Sequence, residues 1–211
     1  MNNENKTNIN WYPGHMLKAK KDILSQLKMI DIVVEIIDAR IPISSRNPDI
    51  DNIVGDKKRI VVLNKFDLAD SKENTKWIEY FKQNNVPAVL VNSIDGKGVK
   101  DVINLVYELY KEKKEKLAKK GIVNNAIKLA IVGIPNVGKS SFINKLSGRA
   151  GAKTGDRPGV TTAKQWIRIS GGYDLLDTPG ILWPKFEDEF VGMNLAFTGA
   201  IRDEVYDVAE V

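Results

Sequence analysis

The chain has 211 residues, 43% hydrophobic and 28% charged, the balance of a globular protein able to bury a sizeable core. It contains no cysteine, which excludes a disulfide framework and any thiolate metal site and suits a reducing compartment. A net charge of +5 weighs mildly toward a polyanionic partner. The polar start Met1-Asn2-Asn3-Glu4-Asn5-Lys6 and the lack of any apolar run of about 18 residues argue against a signal segment or a membrane span, and for a cytoplasmic protein.

Residues 1–9 are polar and read as a disordered tail. Trp11-Tyr12-Pro13-Gly14-His15-Met16 then gathers two aromatics, a turn dipeptide and the only histidine. Over 16–27, Leu17, Ile23, Leu24 and Leu27 recur at roughly helical spacing, with Lys18, Lys20, Lys21 and Lys28 elsewhere on the surface. This predicts a helix with a basic outer face, for which Trp11 and Tyr12 serve as a hydrophobic staple. The β-branched run at 30–38 predicts a central parallel strand, ended by Asp38-Ala39-Arg40-Ile41-Pro42. A polar loop over 44–52 leads into a short helix. Next come a strand at 59–63 running into Asn64-Lys65-Phe66-Asp67-Leu68, a helix at 73–84, a strand at 87–91 and the glycine-bearing loop 92–98.

The helix predicted at 99–116 places Val102, Leu105, Val106, Leu109 and Tyr110 on its apolar side. Its lysine-rich end and the Lys119-Lys120-Gly121 linker read either as an RNA-facing patch or as a solvated helical tail. A strand at 126–132, a glycine loop and a helix beginning near 141 follow. Beyond them lie a polar segment at 154–162, strands at 165–169 and 173–176, and a helix at 190–201. Strands alternating with helices at this spacing imply a mostly parallel α/β sheet wound on both faces.

Gly133-Ile134-Pro135-Asn136-Val137-Gly138-Lys139-Ser140 fits the phosphate-binding pattern G-x-x-x-x-G-K-[ST] without mismatch. Its chemistry needs a strand before it and a helix after it. The glycines let successive N–H groups turn inward around a phosphate, the helix contributes its positive end, Lys139 reaches the β- and γ-phosphates, and Ser140 can ligate Mg²⁺. Asn64-Lys65-x-Asp67 suits guanine: the Asp67 carboxylate accepts both N–H groups of the base edge, which adenine cannot offer. The Lys65 stem can lie along the base, and Asn64 can tie this loop to its neighbours. Ser93 sits where a loop contact to the guanine oxygen would fall. Asp177-x-x-Gly180 supplies a γ-phosphate sensor, with Asp177 holding Mg²⁺ through water and the Gly180 N–H donating to the phosphate. Thr161, or its neighbour Thr162, would complete the Mg²⁺ shell. The nucleotide set is thus Asn64, Lys65, Phe66, Asp67, Ser93, Asn136, Val137, Gly138, Lys139, Ser140, Ser141 and Gly180.

These motifs resemble those of translation-factor-related GTPases, but here the guanine motif precedes the phosphate loop, as in the circularly permuted GTPases. Trp11-Tyr12-Pro13-Gly14-His15-Met16, Asp38-Ala39-Arg40 and Pro158-Gly159-Val160-Thr161 closely resemble the ribosome biogenesis GTPase A family, also called YlqF or RbgA. The resemblance implies a P-loop NTPase (GTPase) fold and a GTP-hydrolysing factor acting late in assembly of the large (50S) ribosomal subunit. Its cofactors would be GTP, GDP and Mg²⁺, its partners ribosomal RNA and ribosomal proteins, with no membrane and a monomeric state. It further implies a circularly permuted GTPase domain over 10–205, with 206–211 opening a C-terminal helical region that helps bind ribosomal RNA.

Many GTPases orient the attacking water with a glutamine just after the Asp-x-x-Gly glycine. Ile181 stands there and can form no hydrogen bond through its side chain. The resemblance assigns the water to His15; on its own, a lone histidine in a Pro-Gly turn is more often a surface or capping residue. Catalysis would then rest on His15, Lys139, Thr161 and Gly180. Asn136 matches GTPases that hold K⁺ beside the phosphates, or it is an asparagine chosen for loop geometry. Arg40 and Arg157 either touch RNA or make ion pairs. The other readings are a GTP-gated RNA- or protein-binding switch in which hydrolysis is secondary, and a P-loop ATPase.

Overall fold

The computed structural model describes residues 27–123, 126–148, 165–169, 171–177 and 188–201. In chain order the elements are β1 (Ile32–Asp38), α1 (Ile50–Val54), β2 (Lys58–Asn64), a 3-10 turn (Phe66–Leu68), α2 (Ser71–Gln83) and β3 (Ala88–Val91). They continue with α3 (Val99–Ala118), β4 (Ile127–Val132), α4 (Lys139–Ser147), β5 (Gln165–Ile169), β6 (Tyr173–Asp177) and α5 (Glu189–Phe197). The sheet has six strands in the order β3-β2-β1-β4-β6-β5. All pairings are parallel except that of the edge strand β5 with β6.

Every residue of β1 is buried, which is why the strand reads as a near-continuous apolar run: both faces of a central parallel strand are covered. On one face Ile32, Val34 and Ile36 pack with Val102 and Val106 of α3, Phe142 and Ile143 of α4, and Leu195 of α5. On the other, Val33 joins Leu27, Ile50 and Leu176, while Ile37 joins Leu63 and Phe81 of α2. Helix α3 forms because Val99, Val102, Val106 and Tyr110 fall on one buried stripe. Helix α2 starts where Asp70 accepts hydrogen bonds from the N–H groups of Lys72 (2.8 Å) and Glu73 (3.2 Å).

The last helix is shorter than the expected 190–201. It stops at Phe197 because Gly199 takes a left-handed φ of 70°, with the Gly199 N–H bonded to the Ala196 carbonyl and the Ala200 N–H to that of Leu195. This paired pattern closes a helix and redirects the chain. Ala200 and Ile201 stay buried beyond the turn.

One charged residue interrupts the buried strand. Glu35, 1% exposed, lies between the two apolar clusters of its face and accepts a 3.0 Å hydrogen bond from Arg46 Nε, with Arg59 Nη1 at 3.5 Å. Both arginines also reach Asp51, Arg46 at 2.8 Å and Arg59 at 2.6 Å. Burial pushes the Glu35 carboxyl above its ordinary range despite these cations. The network clamps the segment between β1 and α1 onto the sheet, and that segment borders the strand ends where the site lies. Removing one partner of a buried charge leaves the other uncompensated, so Arg46→Ala should lower the unfolding free energy by about 3 kcal/mol. Urea denaturation reads this; an unchanged midpoint would show that the clamp does not stabilise the fold.

Candidate nucleotide-binding site

Three loops converge at the C-terminal ends of the parallel strands, the edge at which open α/β sheets bind ligands. The register sets this up. Asp38 pairs opposite Asn64, and Asn64 opposite Val91, so β1, β2 and β3 end level. Strand β4 ends with Val132 opposite Glu35, three residues short of the end of β1, and the loop opened by Gly133 turns across β1. There a Cβ on Gly133 would meet the Ile36 carbonyl oxygen at 2.4 Å.

Asn64 joins the three loops. Its side chain, in a residue 2% exposed, donates from Nδ2 to the Val137 carbonyl at 2.7 Å, while Oδ1 accepts from the Ser93 N–H at 3.1 Å and the Ser93 hydroxyl at 2.8 Å. The expected tying role of Asn64 is thereby given specific partners. Gly138 lets the loops approach this closely: its φ is 96°, and a Cβ there would lie 2.3 Å from Asn64 Nδ2.

Lys65 follows in a left-handed conformation, φ 60°, and sends its ammonium back across the site. Nζ donates to the Asn136 carbonyl at 2.8 Å and pairs with Asp38 Oδ2 at 2.9 Å. Asp38 in turn is gripped by Arg40, with Nε at 2.8 Å from Oδ1 and Nη2 at 2.6 Å from Oδ2. Burial alone pushes the Asp38 carboxyl up, but the Arg40 hydrogen bonds and the Lys65 charge outweigh it and hold the group below the usual carboxylate range. Arg40 is thus an ion-pair residue. The 3-10 turn presents Asp67 on the exposed rim, and Asn74 of α2 steadies the turn by donating to the Phe66 carbonyl at 3.0 Å. Phe66 is half-buried, with the Lys97 ammonium 5.3 Å from its ring centre.

In the phosphate loop, Val137 is 2% exposed and anchors the loop in the core, while Asn136 takes a left-handed φ of 59°. Asparagine tolerates that conformation better than most residues. That conformation is one in which an asparagine suits the loop's geometry. Its Nδ2 also donates to the Gly199 carbonyl at 2.6 Å, linking the loop to the turn after α5. Lys139, 6% exposed, donates from Nζ to the Ile134 carbonyl at 2.8 Å, which places its ammonium within the loop at the head of α4. Ser140 and Ser141 are half-buried in the first turn of that helix.

Asp177 closes β6 with its backbone opposite Ile131, one residue before the end of β4, so β6 delivers it to the same edge. Its side chain lies outside the described structure, as do His15, Arg157, Thr161, Thr162 and Gly180. The sequence reading named Asp38 only as a strand end and part of a family motif, without its pairing to Lys65, and missed the supports from Asn74 and Lys145. Asp38 and Asn74 act through sheet register and helix packing. Lys145 of α4 donates to the Ile94 carbonyl at 3.2 Å and packs its stem over Gly96, in the Ser93 loop. Asp38 left a signal, an acid ending an apolar strand; Asn74 and Lys145 left none.

A side chain at position 138 would collide with Asn64 and strain the backbone at once. Gly138→Ala should therefore destabilise the chain by about 2 kcal/mol and weaken binding of a fluorescent guanosine diphosphate at least about tenfold. Titration and thermal melting check this; an affinity equal to that of the wild type would show that the close approach is dispensable.

A family model described as "50S ribosome-binding GTPase" matches residues 128–209. A ribosome biogenesis GTPase A of Bacillus cereus is 54% identical over 203 residues, an alignment covering 96% of this chain and 69% of that protein. Its counterpart in Thermotoga maritima is 35% identical, with 93% of this chain and 68% of that protein covered. The crystal structure of GNP-bound YlqF from T. maritima superposes with a TM-score of 0.64 at 30% identity, over 92% of this chain and 70% of that one. Both the guanine motif ahead of the phosphate loop and the identity over nearly the whole chain lead to one conclusion: the chain belongs to the ribosome biogenesis GTPase A family.

Proposed function

We propose that the chain binds GTP across the Asn64, Ser93 and phosphate loops, hydrolyses it with Mg²⁺, and serves assembly of the large ribosomal subunit. The observation that carries the nucleotide reading is the Asn64 side chain, hydrogen-bonded to the phosphate loop and the Ser93 loop together. A base held by Asp67 and phosphates held by residues 133–140 then belong to one rigid frame. The assembly role is supported by what the relatives are named and by the description of the matching family.

The residues divide the work. Asp67 reads the guanine edge, the Lys65 stem lies along the base, and the Ser93 loop offers backbone groups to the guanine oxygen. Lys139 and the N-terminal end of α4 draw the β- and γ-phosphates into the loop. The donor set fits Mg²⁺: Ser140 ends the phosphate loop in the first turn of α4, and β6 brings Asp177 to the same edge, both being oxygen ligands of the kind this ion takes. Ser140, Asp177 and Thr161 would hold the ion, which when bound neutralises charge on the phosphate oxygens. With Ile181 after Gly180, His15 is the residue we assign to orient the attacking water. K⁺ assistance through Asn136 is part of the proposal, as is stimulation of hydrolysis by the ribosomal particle at a late step. Among the described residues no helix is long and apolar enough to cross a membrane.

Two measurements test this reading. Asp67→Asn should erode the preference for GTP over ATP by at least about a hundredfold in competition binding; equal competition by ATP in the wild-type chain would overturn the guanine assignment. Turnover in K⁺ buffer should rise on adding purified large ribosomal subunits. His15→Ala should cut the stimulated rate by about a hundredfold while GDP affinity stays within about twofold. Normal stimulated turnover in that variant would remove His15 from the mechanism.

A further inference from the structure

The buried acid at the end of β1 has no assigned role in nucleotide recognition, yet it faces the guanine motif directly. We propose that Asp38, locked in place by Arg40, is a positioning residue for guanine nucleotide binding, acting by pinning the Lys65 ammonium before the base arrives. This inference rests on the guanine-site reading above and specifies how that site is preorganised.

Lysine carries its charge on a flexible stem of four carbons, so a stem that must lie along a base is useful only when its end is fixed. Lys65 Nζ has two anchors: the Asn136 carbonyl at 2.8 Å and Asp38 Oδ2 at 2.9 Å. The first is a backbone carbonyl of the phosphate loop, 71 positions along the chain. The second belongs to the sheet. Asp38 ends a fully buried strand, its N–H donates to the Ser45 hydroxyl at 2.9 Å, and the next N–H, of Ala39, donates to the Asn64 carbonyl at 2.8 Å.

The carboxylate cannot easily turn away. The Arg40 backbone N–H donates to Oδ1 at 3.1 Å, Arg40 Nε to the same oxygen, and Nη2 to Oδ2, a forked grip in which the Asp38 side chain is 2% exposed and that of Arg40 30%. Paired, charge-assisted bonds of this kind fix direction as well as distance. One carboxylate therefore pairs with two cations, and of the two only Lys65 belongs to the guanine motif. With Asp38 ionised and held, the Lys65 stem is already extended across the site, and binding a base need not pay for ordering it.

The test is a double-mutant cycle read by equilibrium titration and dissociation rate of a fluorescent GDP, using the whole chain. Asp38→Asn should raise the dissociation constant at least about tenfold, chiefly through faster release. Lys65→Met, which keeps an apolar stem and removes the ammonium, should do the same. The double variant should lose little more than either single one, because both remove the same contact. With GTP as substrate, Asp38→Asn should raise KM more than it lowers kcat. A purely structural role would lower stability and leave the two losses additive. Unchanged affinity in folded Asp38→Asn, or additive losses, would overturn the proposal.

If Asp38→Asn does not fold, Arg40→Gln carries the same test. It is expected to weaken GDP severalfold by freeing the carboxylate, and unchanged affinity there would overturn the proposal equally. Wild-type chain that fails to bind GDP would instead refute the guanine site itself. The two failures are thus distinguishable.

Discussion

The Asn64 carboxamide satisfies its donor and acceptor on two loops that are far from it in sequence, Val137 on one side and Ser93 on the other. Because the residue is almost wholly buried, each of those bonds replaces water that cannot reach the group, and losing one partner would leave an orphaned amide costing about 1–3 kcal/mol. The rest of the site follows from this bridge. Gly138 must lack a side chain because Asn64 occupies that space, and Ser93 is tied to Asn64 because its hydroxyl and N–H converge on one oxygen. Lys65, next in the chain, turns left-handed and crosses to Asp38 and Asn136, adding a charged layer to the same junction.

Permutation leaves this junction untouched because it depends on strand register, not on connectivity. The sheet order β3-β2-β1-β4-β6-β5 puts the guanine loop, the phosphate loop and the end of β6 on one edge, although the chain visits them in an unusual order. What changes is where the chain leads afterwards. Helix α5 and its closing turn come last among the described elements and touch the site once, where Asn136 Nδ2 bonds the Gly199 carbonyl; Asn194 Nδ2 bonds Ser44 Oγ at 3.0 Å in the loop that follows β1. The turn after α5 is therefore in contact with the phosphate loop.

Much of this was legible in the residues. The buried strands announced themselves as β-branched runs, and β1, β2 and β4 fall where those runs do, because strands covered on both faces have no polar alternation to confuse the reading. The phosphate and guanine motifs sit at strand ends as their chemistry requires. Contacts made through register were harder to read. Nothing local says that Asp38 will face Lys65; that follows only once Asp38 pairs opposite Asn64 across the sheet. Glu35 was hidden for the same reason, its arginines being 11 and 24 positions away along the chain. The lysine-rich end of α3 is helical to Ala118 and largely exposed, and Lys113 pairs with Asp31, which favours the solvated-tail reading for that lysine. Helix α5 was read too long because the stop is set by Gly199, one glycine inside an otherwise compatible sequence.

The central claim is that the guanine, Ser93 and phosphate loops behave as one unit because Asn64 joins them. Amide hydrogen exchange with and without GDP, in wild-type chain and in Asn64→Ala, addresses it most directly. In the wild type, protection over 92–97 and 133–140 should rise together on adding GDP. In the variant at saturating GDP, the phosphate loop should gain protection without the Ser93 loop. Equal protection of both loops in the variant would contradict the account, since the coupling would then run through contacts other than Asn64.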